Sequence, residues 1–164
     1  LARKKQPTLR LTFLGLSRRA ADLQYLKDYA GELGLTGAVR FEDLVPRAQV
    51  RARLARSHFG VSPVPPTPFY ALSSPTKLME CLGAGRPAVA NDIPEQKSVL
   101  EASGGGFCVP YEEQAFADAM AALAADPQRR AAAVAAAAAY MARPRAYSVL
   151  AEPAIASYRE HLTL

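Results

Sequence analysis

The sequence predicts an α/β fold: a parallel sheet with flanking helices and a helical C-terminal tail. Three observations carry this. Short apolar or alternating runs, bounded by glycine and proline, recur between helical patterns. That rhythm belongs to βαβ units with right-handed crossovers. Residues 73–91 read as a helix, a glycine turn and a buried strand. From residue 111 to 162 the pattern is almost wholly helical and contains an alanine run at 131–139, a strong helix former.

Residues 8–14 alternate and stop at Gly15, which predicts a first strand. Leu23, Leu26, Lys27, Ala30 and Leu33 fall at helical spacing over 20–33, and Gly34 and Gly37 end that helix. Residues 38–41 predict a second strand. Residues 48–57 predict a basic amphipathic helix with Val50, Leu54 and Ala55 inward. Residues 59–62 predict a third strand, and Pro63, Pro65, Pro66 and Pro68 then force a loop. Ser74 is the expected N-cap of the next helix, with Pro75 at its first position. Leu78, Met79 and Leu82 would seat that helix on the sheet. Gly83 and Gly85 end it, and Pro87 keeps it from restarting. Residues 88–90 and 106–109 predict the last two strands. Pro144 and Pro153 are expected to punctuate the tail, with Arg143-Pro144-Arg145 as a joint. The chain reads as one domain, with an α/β core over 1–126 and C-terminal helices over 127–164.

Half of the residues are hydrophobic, enough for a proper core at this length. The net charge is +5 and rests mostly on arginine. No Lys/Arg cluster with interleaved aromatics accompanies it, so no nucleic-acid partner is expected. Peripheral attraction to an anionic membrane face is compatible with the charge. Cys81 and Cys108 show no metal or disulfide spacing. They read as reduced core residues, which points to a cytoplasmic protein. Gly104-Gly105-Gly106 precedes a strand, so it reads as a turn rather than a phosphate loop. Asp92 is expected to cap the following helix. His58 and the tyrosines Tyr140, Tyr147 and Tyr158 read as packing residues, and His161 as solvated. No His/Cys/Asp cluster has metal spacing.

Ligands of open parallel sheets bind beyond the carboxyl ends of the strands. Those ends fall at Gly15, at 41–45, at 63–74 and at Asn91-Asp92. The helix that starts near Ser74 therefore meets a ligand with its N-terminus, where partial positive charge and free N–H groups suit an anion such as a diphosphate. Glu80 lies about one turn further in, where a carboxylate can accept hydrogen bonds from a vicinal diol.

The run Ser74-Pro-Thr-Lys-Leu-Met-Glu-Cys-Leu-Gly-Ala-Gly-Arg-Pro-Ala-Val-Ala-Asn91 resembles the nucleotide-sugar-binding segment of glycosyltransferase family 4. These are retaining enzymes of GT-B architecture, built from two Rossmann-like halves. Ile93-Pro94-Glu95 and the Gly104–Val109 run resemble the family's next helix and strand. Phe116 to Asp126 followed by Pro127-Gln128-Arg129-Arg130 resembles its alanine-leucine helix and D-P-x-x-R turn, and the segment through Tyr158-Arg159 its last helix. The likeness spans about residues 8–162.

The resemblance implies that Glu80 holds the ribose hydroxyls. It places Ser73, Ser74, Thr76 and Lys77 beside the diphosphate and sugar, Gly15 near the phosphates, and residues 41–45 beside the base. It implies no metal and no cofactor beyond a UDP- or GDP-linked donor. Lys77 is then the local group that meets the leaving-group charge. Three departures stand out. The family commonly carries another glutamate eight positions before Glu80, and here that residue is Leu72. The strand that bears its diphosphate clamp, central in the sheet, would precede residue 1. The acceptor domain is also missing, so the chain is expected to be a C-terminal fragment that does not catalyse transfer alone. The expected parent is a bacterial glycosyltransferase of glycan, lipid or polysaccharide assembly. A nucleotide-sugar 2-epimerase and a degenerate, non-catalytic scaffold remain as alternatives, the latter because of Leu72.

Overall fold

A computed structural model describes residues 1–15, 19–142 and 147–162. The elements run α1 (Ala2–Lys5), β1 (Leu11–Leu14), α2 (Ala20–Glu32), β2 (Val39–Glu42), α3 (Arg47–Leu54), β3 (Gly60–Ser62) and α4 (Pro68–Ala71). They continue with α5 (Thr76–Gly83), β4 (Ala88–Asn91), α6 (Pro94–Ser103), β5 (Gly106–Val109), α7 (Glu113–Ala125), α8 (Pro127–Ala142) and α9 (Tyr147–Leu162).

All strand pairing is parallel, as the βαβ rhythm requires, but the sheet comes in two parts. β1 pairs with β2 from Leu11↔Val39 to Leu14↔Glu42. β4 lies between β3 and β5, in the registers Val61↔Val89 and Val89↔Phe107. Among the described residues no pairing joins β1 to β3.

The core surrounds β4, whose four residues are all buried. Its side chains alternate between two clusters, as the strand period dictates. Ala88 and Ala90 meet Leu78, Cys81 and Leu82 of α5, Val99 and Leu100 of α6, and Ala137 of α8. Val89 meets Ala119 and Leu123 of α7, with Phe59, Phe107 and Phe116 around them. Burial on both faces explains why this strand reads as a continuous apolar run. Beside it, position 106 of β5 needs glycine: its φ is +152, and a Cβ there would lie 1.9 Å from the Ala88 carbonyl oxygen.

The D-P-x-x-R run is a structural joint. The Asp126 carboxylate accepts from the Arg129 N–H at 2.8 Å, so it caps α8 behind Pro127. The Arg130 guanidinium reaches back to the Ala124 carbonyl at 2.8 Å and satisfies the end of α7. α8 then packs on α5, α6 and α7.

Several local expectations change. Pro153 lies inside α9 rather than ending a helix. A proline two turns in removes one ladder bond without stopping a long helix. The joint at 143–146 lies outside the described residues, as does any account of the Tyr147 side chain. His58 and Ala55 are exposed, because α3 touches the body mainly through Val50 and Leu54. Tyr140 packs against the core, whereas Tyr158 is largely exposed. α1 is tied to α7 by the Lys5–Asp118 ion pair at 2.6 Å, and this hydrogen bond from lysine holds the Asp118 carboxyl below its ordinary value.

Candidate functional site

The carboxyl edge of β3–β5 is built from buried polar groups. Ser62 ends β3, and its hydroxyl donates to Gln96 Oε1 at 2.6 Å. Gln96, wholly buried on α6, donates through Nε2 to the Asn91 carbonyl at 3.1 Å and the Ser62 carbonyl at 3.3 Å. Asn91 ends β4, and its Oδ1 accepts from the Val64 N–H at 2.7 Å. Side-chain amides thus continue the sheet where its ladder stops, and they root the loop that leaves β3. The sequence signalled none of this network, because Gln96 has no motif and glutamine is normally exposed.

The loop then braces itself. Thr67 caps the short helix α4 by accepting from the Tyr70 N–H at 3.4 Å. The Ser73 hydroxyl donates to the Tyr70 carbonyl at 2.8 Å, and α5 follows three residues later. α5 starts one residue later than expected. Pro75 is its N-cap and Ser74 is not: the helix has no side-chain cap, and the Ser74 hydroxyl instead donates to Glu95 Oε1 at 3.4 Å. Proline at the cap position fixes the entry backbone without supplying an oxygen, which leaves the first N–H groups of α5 free. Asp92 likewise does not cap α6, whose N-cap is Ile93 with Pro94 behind it.

α5 sorts its residues by face. Leu78, Cys81 and Leu82 are buried, while Thr76, Lys77 and Glu80 are exposed. Spacings of three and four residues bring Thr76, Lys77 and Glu80 onto one side of the helix. Among the described residues neither Lys77 nor Glu80 has an ion-pair partner. Beside Glu80, the Cys81 thiol is pushed up to about 11, first by burial and then by the Glu80 charge. It is inert packing rather than a nucleophile.

Gly15 stands apart from this group. It ends β1 with φ +86, donates to the Glu42 carbonyl at 3.2 Å and lies against Leu44. The structure therefore brings Ser73, Ser74, Thr76, Lys77 and Glu80 onto one loop and helix, and places Gly15 at the end of the other sheet. Leu72 is 95% exposed. Concavities of about 390 and 440 Å³ lie at the opposite, amino edge, around Gly104–Phe107 and around Gly83–Gly85. Among the described residues no three His, Cys, Asp or Glu side chains could share a metal. No helix there is long and apolar enough to cross a membrane.

The family model for glycosyl transferases group 1 matches residues 1–126. The chain belongs to this family. Its fold matches sucrose-phosphate synthase from Thermosynechococcus elongatus with a TM-score of 0.82 at 17% identity, over 99% of this chain and 41% of that one. It also matches WaaG, a glycosyltransferase involved in lipopolysaccharide biosynthesis, with a TM-score of 0.67 at 14% identity, over 90% of this chain and 47% of that one. The chain thus spans less than half of each of these structures. No curated protein matches it by sequence. The split parallel sheet with helices on its faces is a Rossmann-like half of the GT-B kind.

Proposed function

We propose that this glycosyl transferases group 1 domain binds the nucleotide-sugar donor of a retaining, metal-independent glycosyltransferase. The observation that supports it best is the exposed face of α5. Thr76, Lys77 and Glu80 stand together at the carboxyl edge, on a helix locked into the core by Leu78, Cys81 and Leu82. The free N–H groups at the start of α5 and the Lys77 ammonium meet the diphosphate. The Glu80 carboxylate accepts from the ribose diol. In the parent reaction an acceptor hydroxyl oxygen bonds to the anomeric carbon as the bond to the β-phosphate oxygen breaks. The nucleoside diphosphate leaves and the hydroxyl proton is released. Fixed positive groups stabilise the departing charge because they need no reorganisation. The donor is a UDP- or GDP-hexose, and the acceptor site is completed by a second domain.

NMR titration of the chain with UDP, GDP and ADP tests this, with Glu80→Ala run beside it. Saturable shifts at Thr76–Glu80 for one base are expected. The variant removes hydrogen bonds to a charged group, worth about 1.5–3 kcal/mol, so affinity falls about ten- to a hundredfold. No shift with any nucleotide in a folded sample sinks the donor reading and leaves a non-catalytic scaffold.

A further inference from the structure

We propose that Glu95, in the first turn of α6, contacts the hexosyl group of the donor and supplies the carboxylate that is absent at Leu72. The subsite then favours a neutral hexose over a hexuronic acid. This inference rests on the donor reading of α5, because that reading places the sugar.

A nucleotide sugar carries its ribose and its hexose at opposite ends of one diphosphate. The diphosphate lies on the first N–H groups of α5, and the ribose at Glu80. Thr76 to Glu80 is about 6 Å of helix axis at ~1.5 Å per residue. Glu80 therefore stands behind the helix start and the hexose in front of it. α5 and α6 leave the carboxyl ends of neighbouring strands, β3 and β4, so their N-termini share one edge. The side chains in front of α5 are those of Leu72, Ser73 and Ser74 and that of Glu95, which a hydrogen bond to Ser74 brings there.

Two of these four are unsuited to sugar hydroxyls. Leu72 offers no polar side-chain atom and is 95% exposed. The Ser73 hydroxyl is spent on the Tyr70 carbonyl at 2.8 Å. Ser74 and Glu95 remain. The Ser74 hydroxyl donates to Glu95 Oε1 at 3.4 Å, a long contact against about 2.8 Å for a full hydrogen bond between oxygens. A sugar hydroxyl fits such a pair, accepting from Ser74 and donating to Glu95. A bond to a carboxylate is charge-assisted and is the stronger of the two.

Glu95 is also held in place. Pro94 fixes the first turn of α6. Ile93 and Gln96 on either side of that turn are buried, and Gln96 is bonded to Ser62 and Asn91. The half-buried Glu95 side chain thus stands on a turn rooted in the sheet. A hexuronate would bring a second negative charge to this point. Lys97, the nearest basic residue along α6, is directed to Glu101 at 3.9 Å and does not offset it.

The test compares free and sugar-linked nucleotides by isothermal titration calorimetry. The probes are UDP, UDP-glucose and UDP-glucuronate, and GDP, GDP-mannose and GDP-mannuronate. Glu95→Gln removes the charge, and Glu95→Asp keeps it at the helix start but withdraws the oxygens by one methylene. For the base that binds, the neutral sugar nucleotide should bind the parent chain more tightly than the free nucleotide. Both variants should weaken the neutral sugar nucleotide about five- to tenfold and leave the free nucleotide unchanged. The uronate form should bind the parent more weakly than the neutral form, and Glu95→Gln should narrow that gap. Glu101→Gln, on the same helix, should change none of these affinities. An equal loss for free and sugar-linked nucleotide would show that Glu95 only positions the start of α5, and would overturn the proposal. Unchanged sugar-nucleotide affinity in both variants overturns it as well, with the donor reading intact. No binding of any nucleotide to the folded parent chain is a separate result: it removes the donor reading, and this inference with it.

Discussion

Gln96→Ala removes a buried side chain that ties the ends of β3 and β4 together. Four hydrogen bonds go with it: one from the Ser62 hydroxyl at 2.6 Å, two to the Asn91 and Ser62 carbonyls at 3.1 and 3.3 Å, and a longer one to Asn91 Oδ1 at 3.4 Å. An unsatisfied buried polar group costs about 1–3 kcal/mol. The Ser62 hydroxyl can rotate to another acceptor and the carbonyls lie near the sheet edge, so the low end applies to each, about 2–3 kcal/mol together. Truncation also opens about 60 Å³, worth ~1.4 kcal/mol at ~24 cal/mol per Å³. The total is about 3–4 kcal/mol, a large part of a domain's stability. Urea unfolding reads it as a fall in midpoint at constant slope. Hydrogen exchange of the Val64 amide should quicken relative to the centre of α7, because Asn91 loses its neighbour. Gln96→Met keeps the volume and drops the polar partners, and should retain about 2 kcal/mol of the loss. A Gln96→Met chain as stable as the parent would refute the hydrogen-bond argument. A Gln96→Ala loss under about 1 kcal/mol would refute the whole account.

Gly60→Ala places a Cβ 2.2 Å from the Cys81 Sγ and 3.0 Å from its Cβ. Overpacking of this kind costs about 1–3 kcal/mol. Adding Cys81→Ala should return part of it, and strictly additive losses in a double-mutant cycle would show that the contact is not the cause. The Cys81 thiol gives a pH dependence. Burial and the Glu80 charge raise it from an ordinary 9.0 to about 11, so the folded chain holds the proton more tightly than the unfolded one. Its contribution to stability is complete below pH 9.0 and is lost as pH rises through about 11. At pH 8 a disulfide reagent should titrate Cys81 only after urea is added, and rapid reaction of the folded chain would contradict that burial.

The order of elements was legible because periodicity records burial. β5 falls where the sequence places it, and Leu78 and Leu82 of α5 are buried as their spacing requires. Boundaries slipped where hydrogen bonds rather than hydrophobicity decide them. Ser74 has the chemistry of an N-cap, yet Pro75 takes the position and Ser74 turns to Glu95. The short helix α4 was hidden by its prolines, which read as breakers although Pro68 occupies a first-turn position where no N–H is needed. The Ser62–Gln96–Asn91 network was invisible for a different reason. It joins residues distant in sequence, and no local pattern announces which glutamine will be buried.

The distribution of burial decides which of the expected ligand groups are preorganised. Up to residue 58 the buried hydrophobic residues are Ala30 and Ala38 alone among those described, and no residue of β1 is buried. Phe13 and Phe41 stack on each other at 5.2 Å in place of a deeper core. Gly15 thus stands on a two-stranded sheet with a thin support. Thr76, Lys77 and Glu80 stand on a helix whose opposite face is sunk between β3, β4 and α8. Electrostatic stabilisation depends on groups that are fixed before charge develops. Rigidity also lowers the ordering cost of binding. On both counts α5 is the better preorganised of the two places for the proposed anion and diol recognition.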